Sequence, residues 1–144
     1  MATLTISEAL GGSKVLRKAI TSHTGLADLV REGLPVGSVA ALAFKLHIAS
    51  GSLAKTLSIP QRTLTRRVSG DARLTSAESD RTVRVARVYA HAVEMIGDEE
   101  KAASWLQTPH RALGGAKPMD LLDTDPGARD VEDTLGRIAY GVYS

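Results

Sequence analysis

The sequence has no cysteine, so disulfides and thiolate metal sites are excluded. Aromatic residues are scarce: one Trp, one Phe and three Tyr leave the core to Leu, Val, Ile and Ala. No stretch of eighteen apolar residues occurs, which gives no reason to expect a membrane span. The N-terminus lacks a basic stretch followed by a long apolar run, so a signal peptide is not expected and a soluble, cytoplasmic protein is. No run of alternating β-branched residues reads as a strand, while Ala and Leu favour helix. The expected fold class is all-α. A chain of 144 residues buries roughly two-thirds of its unfolded surface and needs no covalent staples.

What is present is unevenly charged. Between Val36 and Gly97 nine basic residues face four acids. From Asp98 to Ser144 nine acids face five bases. A basic middle suits phosphate, and an acidic end suits a protein partner. The expected organisation is an N-terminal helical arm over 1–35, a helix-turn-helix region with a long core helix over 36–97, and a C-terminal domain over 98–144.

Apolar spacing and breakers predict short helices over Ser13–Ser22 and Leu26–Glu32, with Thr24-Gly25 as the break between them. An apolar helix is expected from Val36 to Ile48. Ser52 is expected to cap a short helix, Leu53–Leu57, followed by the turn Ser58-Ile59-Pro60 and a helix from Gln61 to Gly70. A long helix follows over Thr75–Ile96, with Arg81, Arg84 and Arg87 in a basic stripe. That stripe reads either as a wetted face or as a phosphate contact. Asp98 is placed to cap Glu99–Leu106, and Asp125 to cap a last helix from Pro126 to about Tyr140.

Leu53–Val68 has the layout of a helix-turn-helix. Ala54, Leu57, Ile59, Leu64 and Val68 are its expected internal core. Gln61, Arg62, Thr65 and Arg66 then face outward, near the front of the second helix, where base edges are read. Arg grips guanine and Gln grips adenine bidentately. Thr63, Thr65, Ser69 and Arg73 are candidates for phosphate. A solvated basic helix is the plain alternative.

The C-terminal segment is more specific. It runs Trp105-Leu106, Pro109, Leu113-Gly114-Gly115-Ala116-Lys117-Pro118, Leu121-Leu122, Gly127, then Leu135-Gly136-Arg137-Ile138-Ala139-Tyr140-Gly141. This resembles the toxin-binding domain of the Xre/MbcA/ParS-like antitoxin family, over about the last two-thirds of the chain. Pro60 is a departure, standing where the family often carries a capping Ser or Asn. The resemblance implies an antitoxin of a RES–Xre pair. Its partner would be a RES-domain toxin that degrades NAD, and the chain would not be an enzyme and would hold no cofactor. It also implies autoregulation as a transcription repressor, through operator DNA bound by a homodimer.

Trp105, Leu106, Leu113, Leu121, Leu122, Val131 and Leu135 are expected to be core. Gly114-Gly115 permits backbone angles that other residues resist. Arg137, Tyr140, Gly141, Val142, Tyr143 and Ser144 are different. Tyr and Arg are favoured interface anchors, and a chain end normally turns polar. On residues alone, the tyrosines either cover the last helix or meet a partner. The resemblance implies that they block the toxin's active-site cleft.

Other chemistries lack support. His23, His47, His91 and His110 are scattered, without metal-ligand spacing. Asp120, Asp123, Asp125 and Asp130 lack the order of a calcium loop, and no phosphate-binding glycine loop occurs. A stand-alone helix-turn-helix regulator without a toxin is the alternative function.

Overall fold

The computed structural model describes residues 2–139, with side-chain surroundings from 6 to 138. The described residues form helices and short turns with no strand. The helices are α1 (Ala2–Ala9), α2 (Gly12–Leu16), α3 (His23–Glu32), α4 (Gly37–Leu46), α5 (Ser50–Thr56), α6 (Gln61–Ser69), α7 (Ser76–Ile96), α8 (Glu99–Leu106) and α9 (Asp125–Ala139). Two 3₁₀ turns, Arg111–Leu113 and Pro118–Leu121, lie between α8 and α9. No single helix among the described residues is long and apolar enough to cross a membrane.

α7 is the centre. α1, α3, α8 and α9 pack along it, and α4 touches it. Its inward face carries Thr82, Val85, Ala86, Tyr89 and Ala92, at the three- and four-residue spacing of one helix side. Tyr89 is the largest fully buried side chain, a role the sequence reading did not give it. Its hydroxyl donates to Glu99 at 3.4 Å. Burial, then the neighbouring Glu99 and Asp98 charges, push its pKa up to about 12.

The N-terminal residues are part of this core. Ile6, Ala9, Leu10 and Leu16 are buried in the same cluster as Leu135. The helix expected over Ser13–Ser22 stops at Leu16, because Arg17 adopts a left-handed conformation (φ 66°). There its guanidinium reaches both carboxylate oxygens of Asp71 at 2.7 Å. Thr24-Gly25 is not a break. Ser22 caps α3 by accepting the Gly25 N–H, so both residues belong to the first turn.

Other expectations shift by a residue or two. Ser52 lies inside α5, which has no side-chain cap. Asp125 is not the cap of α9: Thr124 Oγ1 accepts the Gly127 N–H at 3.1 Å. Asp125 instead binds Arg129, whose hydrogen bond holds the carboxyl below its ordinary value. Gly127 is required by space, since a Cβ there would stand 2.0 Å from the Leu121 carbonyl oxygen. Gly114 and Gly115 are required by conformation, with φ of 67° and 85°.

The start of α7 joins it to α6. Thr75 and Glu78 form a reciprocal capping box. The same Glu78 carboxylate accepts from Arg67, the arginine of α6 that turns inward. Burial pushes the Glu78 carboxyl up. The Thr75 backbone N–H and Arg67 outweigh it and hold it below the ordinary carboxylate range.

Two stability predictions follow from these contacts. Glu78→Gln should cost about 2–3 kcal/mol at pH 7, because Arg67 is left half-buried without its partner. A depressed carboxylate stabilises above its unfolded value, about pH 4.3, and that contribution fades as pH falls through the lower folded value. Denaturation curves of wild type and E78Q should therefore converge below about pH 4; a gap independent of pH would contradict the pairing. Gly127→Ala should lower the thermal midpoint, as a clash with backbone costs about 1–3 kcal/mol, whereas Gly136→Ala, with open space at its Cβ, should not.

Candidate DNA-reading helix and toxin-facing end

α5 and α6 meet through a short turn, and four of the five expected core residues, Ala54, Leu57, Ile59 and Leu64, are buried. Ser58 takes a left-handed conformation (φ 57°), and Ile59 N–H donates back to the Ala54 carbonyl at 2.9 Å. Pro60 is the residue before the helix rather than its first residue. Its carbonyl accepts Leu64 N–H at 3.0 Å, and no side chain caps the end. A helix start of this kind attracts anions.

One exposed face of α6 holds Gln61, Arg62, Thr65, Arg66 and Ser69. Gln61 Nε2 donates to Thr65 Oγ1 at 3.3 Å, and its Oε1 sits where a Cβ on Gly51 would lie, 2.7 Å away. Gly51 thus leaves room for the Gln61 amide. Arg62 and Arg66 carry no ion pair among the described residues, so both guanidinium groups are available. Thr63 is half-buried, turned to the side of this face. Arg73 stands apart, its Nη1 donating to the Gly33 carbonyl at 2.6 Å beside the bridge from Pro35 to Arg73. Val68, expected in the core, is 58% exposed at the last turn of α6. Its neighbour Arg67 turns inward and reaches Glu78.

The arginine stripe of α7 is neither a wetted face nor a phosphate grip. Arg81 Nε donates to the Leu57 carbonyl at 2.7 Å, at the turn before α6. Arg84 Nη1 donates to the Asp123 carbonyl at 3.3 Å. Arg87 pairs with Glu132 of α9 at 3.0 Å, and His91 Nδ1 lies 3.3 Å from the same carboxylate. Successive arginines thus tie α7 first to the two-helix unit and then to the C-terminal elements. Lys45 of α4 adds an exposed pair to Glu99 at 3.1 Å, of the sort worth little by itself.

At the C-terminal end, Leu106, Leu122, Val131 and Leu135 are buried as expected. Trp105, Leu113 and Leu121 pack against the core with one side open. Trp105 stacks on His110, with ring centroids 4.6 Å apart and planes at 27°. His110 Nε2 donates to the Trp105 carbonyl at 2.9 Å. Arg137 is exposed and donates to Thr134 Oγ1 at 3.1 Å, near Asp130 and Asp133. The remaining tail candidates, Tyr140, Gly141, Val142, Tyr143 and Ser144, lie outside the described residues. No group of three His, Asp or Glu side chains among the described residues is placed to hold a metal ion.

Comparison with known proteins matches two family domains in the chain. Residues 25–87 match the antitoxin Xre-like helix-turn-helix domain. Residues 91–141 match the antitoxin Xre/MbcA/ParS C-terminal toxin-binding domain. The first match begins inside α3, earlier than the resemblance seen in the sequence. An antitoxin Xre of Photorhabdus laumondii is 39% identical over 125 residues, covering 86% of this chain and 84% of the relative. An antitoxin Xre of Yersinia enterocolitica is 38% identical over 122 residues, covering 84% and 82%. A Prs ADP-ribosylating antitoxin of a Sphingobium species is 24% identical over 125 residues, covering 81% and 79%. With a helix-turn-helix and a toxin-binding domain built on one core, this chain belongs to the Xre antitoxin family and is not an enzyme.

Proposed function

We propose that this chain neutralises a RES-domain toxin that degrades NAD, and that it represses its own operon through α6. The observation that carries the reading is the coexistence, on one continuous core, of a free arginine-bearing helix face and a matched toxin-binding domain. The toxin's active-site cleft is blocked by the end of α9, with Arg137 and the tail Tyr140, Gly141, Val142, Tyr143 and Ser144. Arg and Tyr give such a plug large, largely rigid anchors.

On the DNA side, Arg62, Arg66 and Gln61 read base edges, while Thr63, Thr65 and Ser69 hold phosphates and Arg73, held apart by the Gly33 carbonyl, meets the phosphate backbone through its remaining N–H groups. A homodimer sets two copies of α6 about 34 Å apart, one turn of the duplex, on a palindromic operator. The charge division supports this assignment, since the basic middle of the chain contains α6 and the acidic end contains the toxin-facing elements.

Replacing Arg62 and Arg66 together by Ala should weaken binding to the upstream promoter at least tenfold, since each good base contact is worth about 1–3 kcal/mol. Toxin neutralisation should be spared; unchanged promoter affinity by fluorescence anisotropy would place the reading face elsewhere. Deleting Tyr140–Ser144 should abolish growth rescue in cells co-expressing the RES-domain protein while leaving promoter binding intact. Full rescue by the truncated chain would remove the tail from the mechanism.

A further inference from the structure

Trp105 is the only Trp in a chain with five aromatic residues, and it is not sealed in the core. Its open side, with His110 stacked beside it, lies in a groove of about 430 Å³ between α8 and the end of α9. Apolar Ile96, Trp105 and Ile138 line it together with Ser104, Thr108 and Lys101. Two of the polar side chains that line it are engaged internally. Thr108 Oγ1 donates to the Ser104 carbonyl at 2.7 Å, and His110 donates to the Trp105 carbonyl. What remains is an apolar slot with one cation, since Lys101 has no ion pair among the described residues.

A small aliphatic core would bury its one indole if only stability were at stake. A half-open Trp flanked by a second ring is instead the make-up of an interface anchor. All the lining residues fall within the matched toxin-binding domain, residues 91–141. Ile138 is two residues before Tyr140 in sequence, so the slot borders the point where the tail begins. We infer that this groove is a second docking site for the toxin, which receives an aromatic or branched apolar side chain of the toxin with a carboxylate beside it for Lys101. The inference rests on the toxin-binding reading above and adds a contact to the tail. A plug inserted in a cleft gains affinity when a neighbouring side chain of the partner is held at the same time.

The single Trp makes the test direct. The full chain, labelled with 5-fluorotryptophan, gives one fluorine resonance, to be followed while the unlabelled toxin of the proposed RES class is added. The resonance should move on complex formation. Ser104→Arg, an exposed position that fills the slot, should weaken toxin binding at least tenfold, with thermal midpoint and promoter affinity unchanged. Lys101→Glu should weaken it severalfold. If the wild-type chain binds and neutralises the toxin while the resonance stays still and S104R binds as tightly, the groove is not a docking site, although the toxin-binding reading stands. If the resonance moves when Tyr140–Ser144 is deleted, and not when toxin is added, the chain's own tail is the occupant and the inference is overturned. If the wild-type chain does not bind the toxin at all, the reading beneath it fails too.

Discussion

Both working parts of the molecule are held by α7, and the constraint that fixes them is a set of arginine contacts around that helix. Arg67 reaches from α6 to Glu78 at its first turn. Arg81 grips the Leu57 carbonyl just before α6. Arg84 and Arg87 reach the Asp123 carbonyl and Glu132 on the other side. Arginine suits this task because one planar group bonds carbonyls or carboxylates in a fixed geometry. α6 and the C-terminal elements are therefore both tied to α7.

This arrangement divides the positive charge by role. Arg67, Arg81, Arg84 and Arg87 are spent inside the protein, whereas Arg62 and Arg66 are left unpaired. A charge count over Val36–Gly97 sees nine bases and cannot separate these uses. The free pair lies on the exposed face of α6, so net charge overstates the basic surface and the local face defines it.

Much of the architecture was legible from local chemistry. α8 announces itself through Asp98, whose side chain caps it as its position suggests, whereas the Thr75–Glu78 capping box that starts α7 went unread although its spacing signals it. The core of the two-helix unit followed from Ala54, Leu57, Ile59 and Leu64, and the exposed set on α6 followed from what remained. The misses share a cause, in that tertiary partners override local propensity. Val68 has a core residue's chemistry, yet it is exposed while its neighbour Arg67 pairs with Glu78. Thr24-Gly25 looks like a break until Ser22 supplies the cap. Nothing local shows that Arg84 meets a backbone carbonyl 39 residues away. Tyr89 could have been found, because Val85, Tyr89 and Ala92 share one side of a long helix; the scarcity of aromatics drew attention to Trp105 instead. Trp105 was read as a core anchor because it is large, yet one side stays open.

The account assigns two separable surfaces to one core: α6 for DNA, and the C-terminal elements with their tail for a toxin. Its central claim is inhibition. The proposed partner is tested most directly with a purified RES-domain protein, by following NAD consumption while this chain is titrated in. The account predicts that NAD loss falls to background once the antitoxin saturates the toxin. Undiminished NAD consumption by a toxin fully bound to this chain would contradict it.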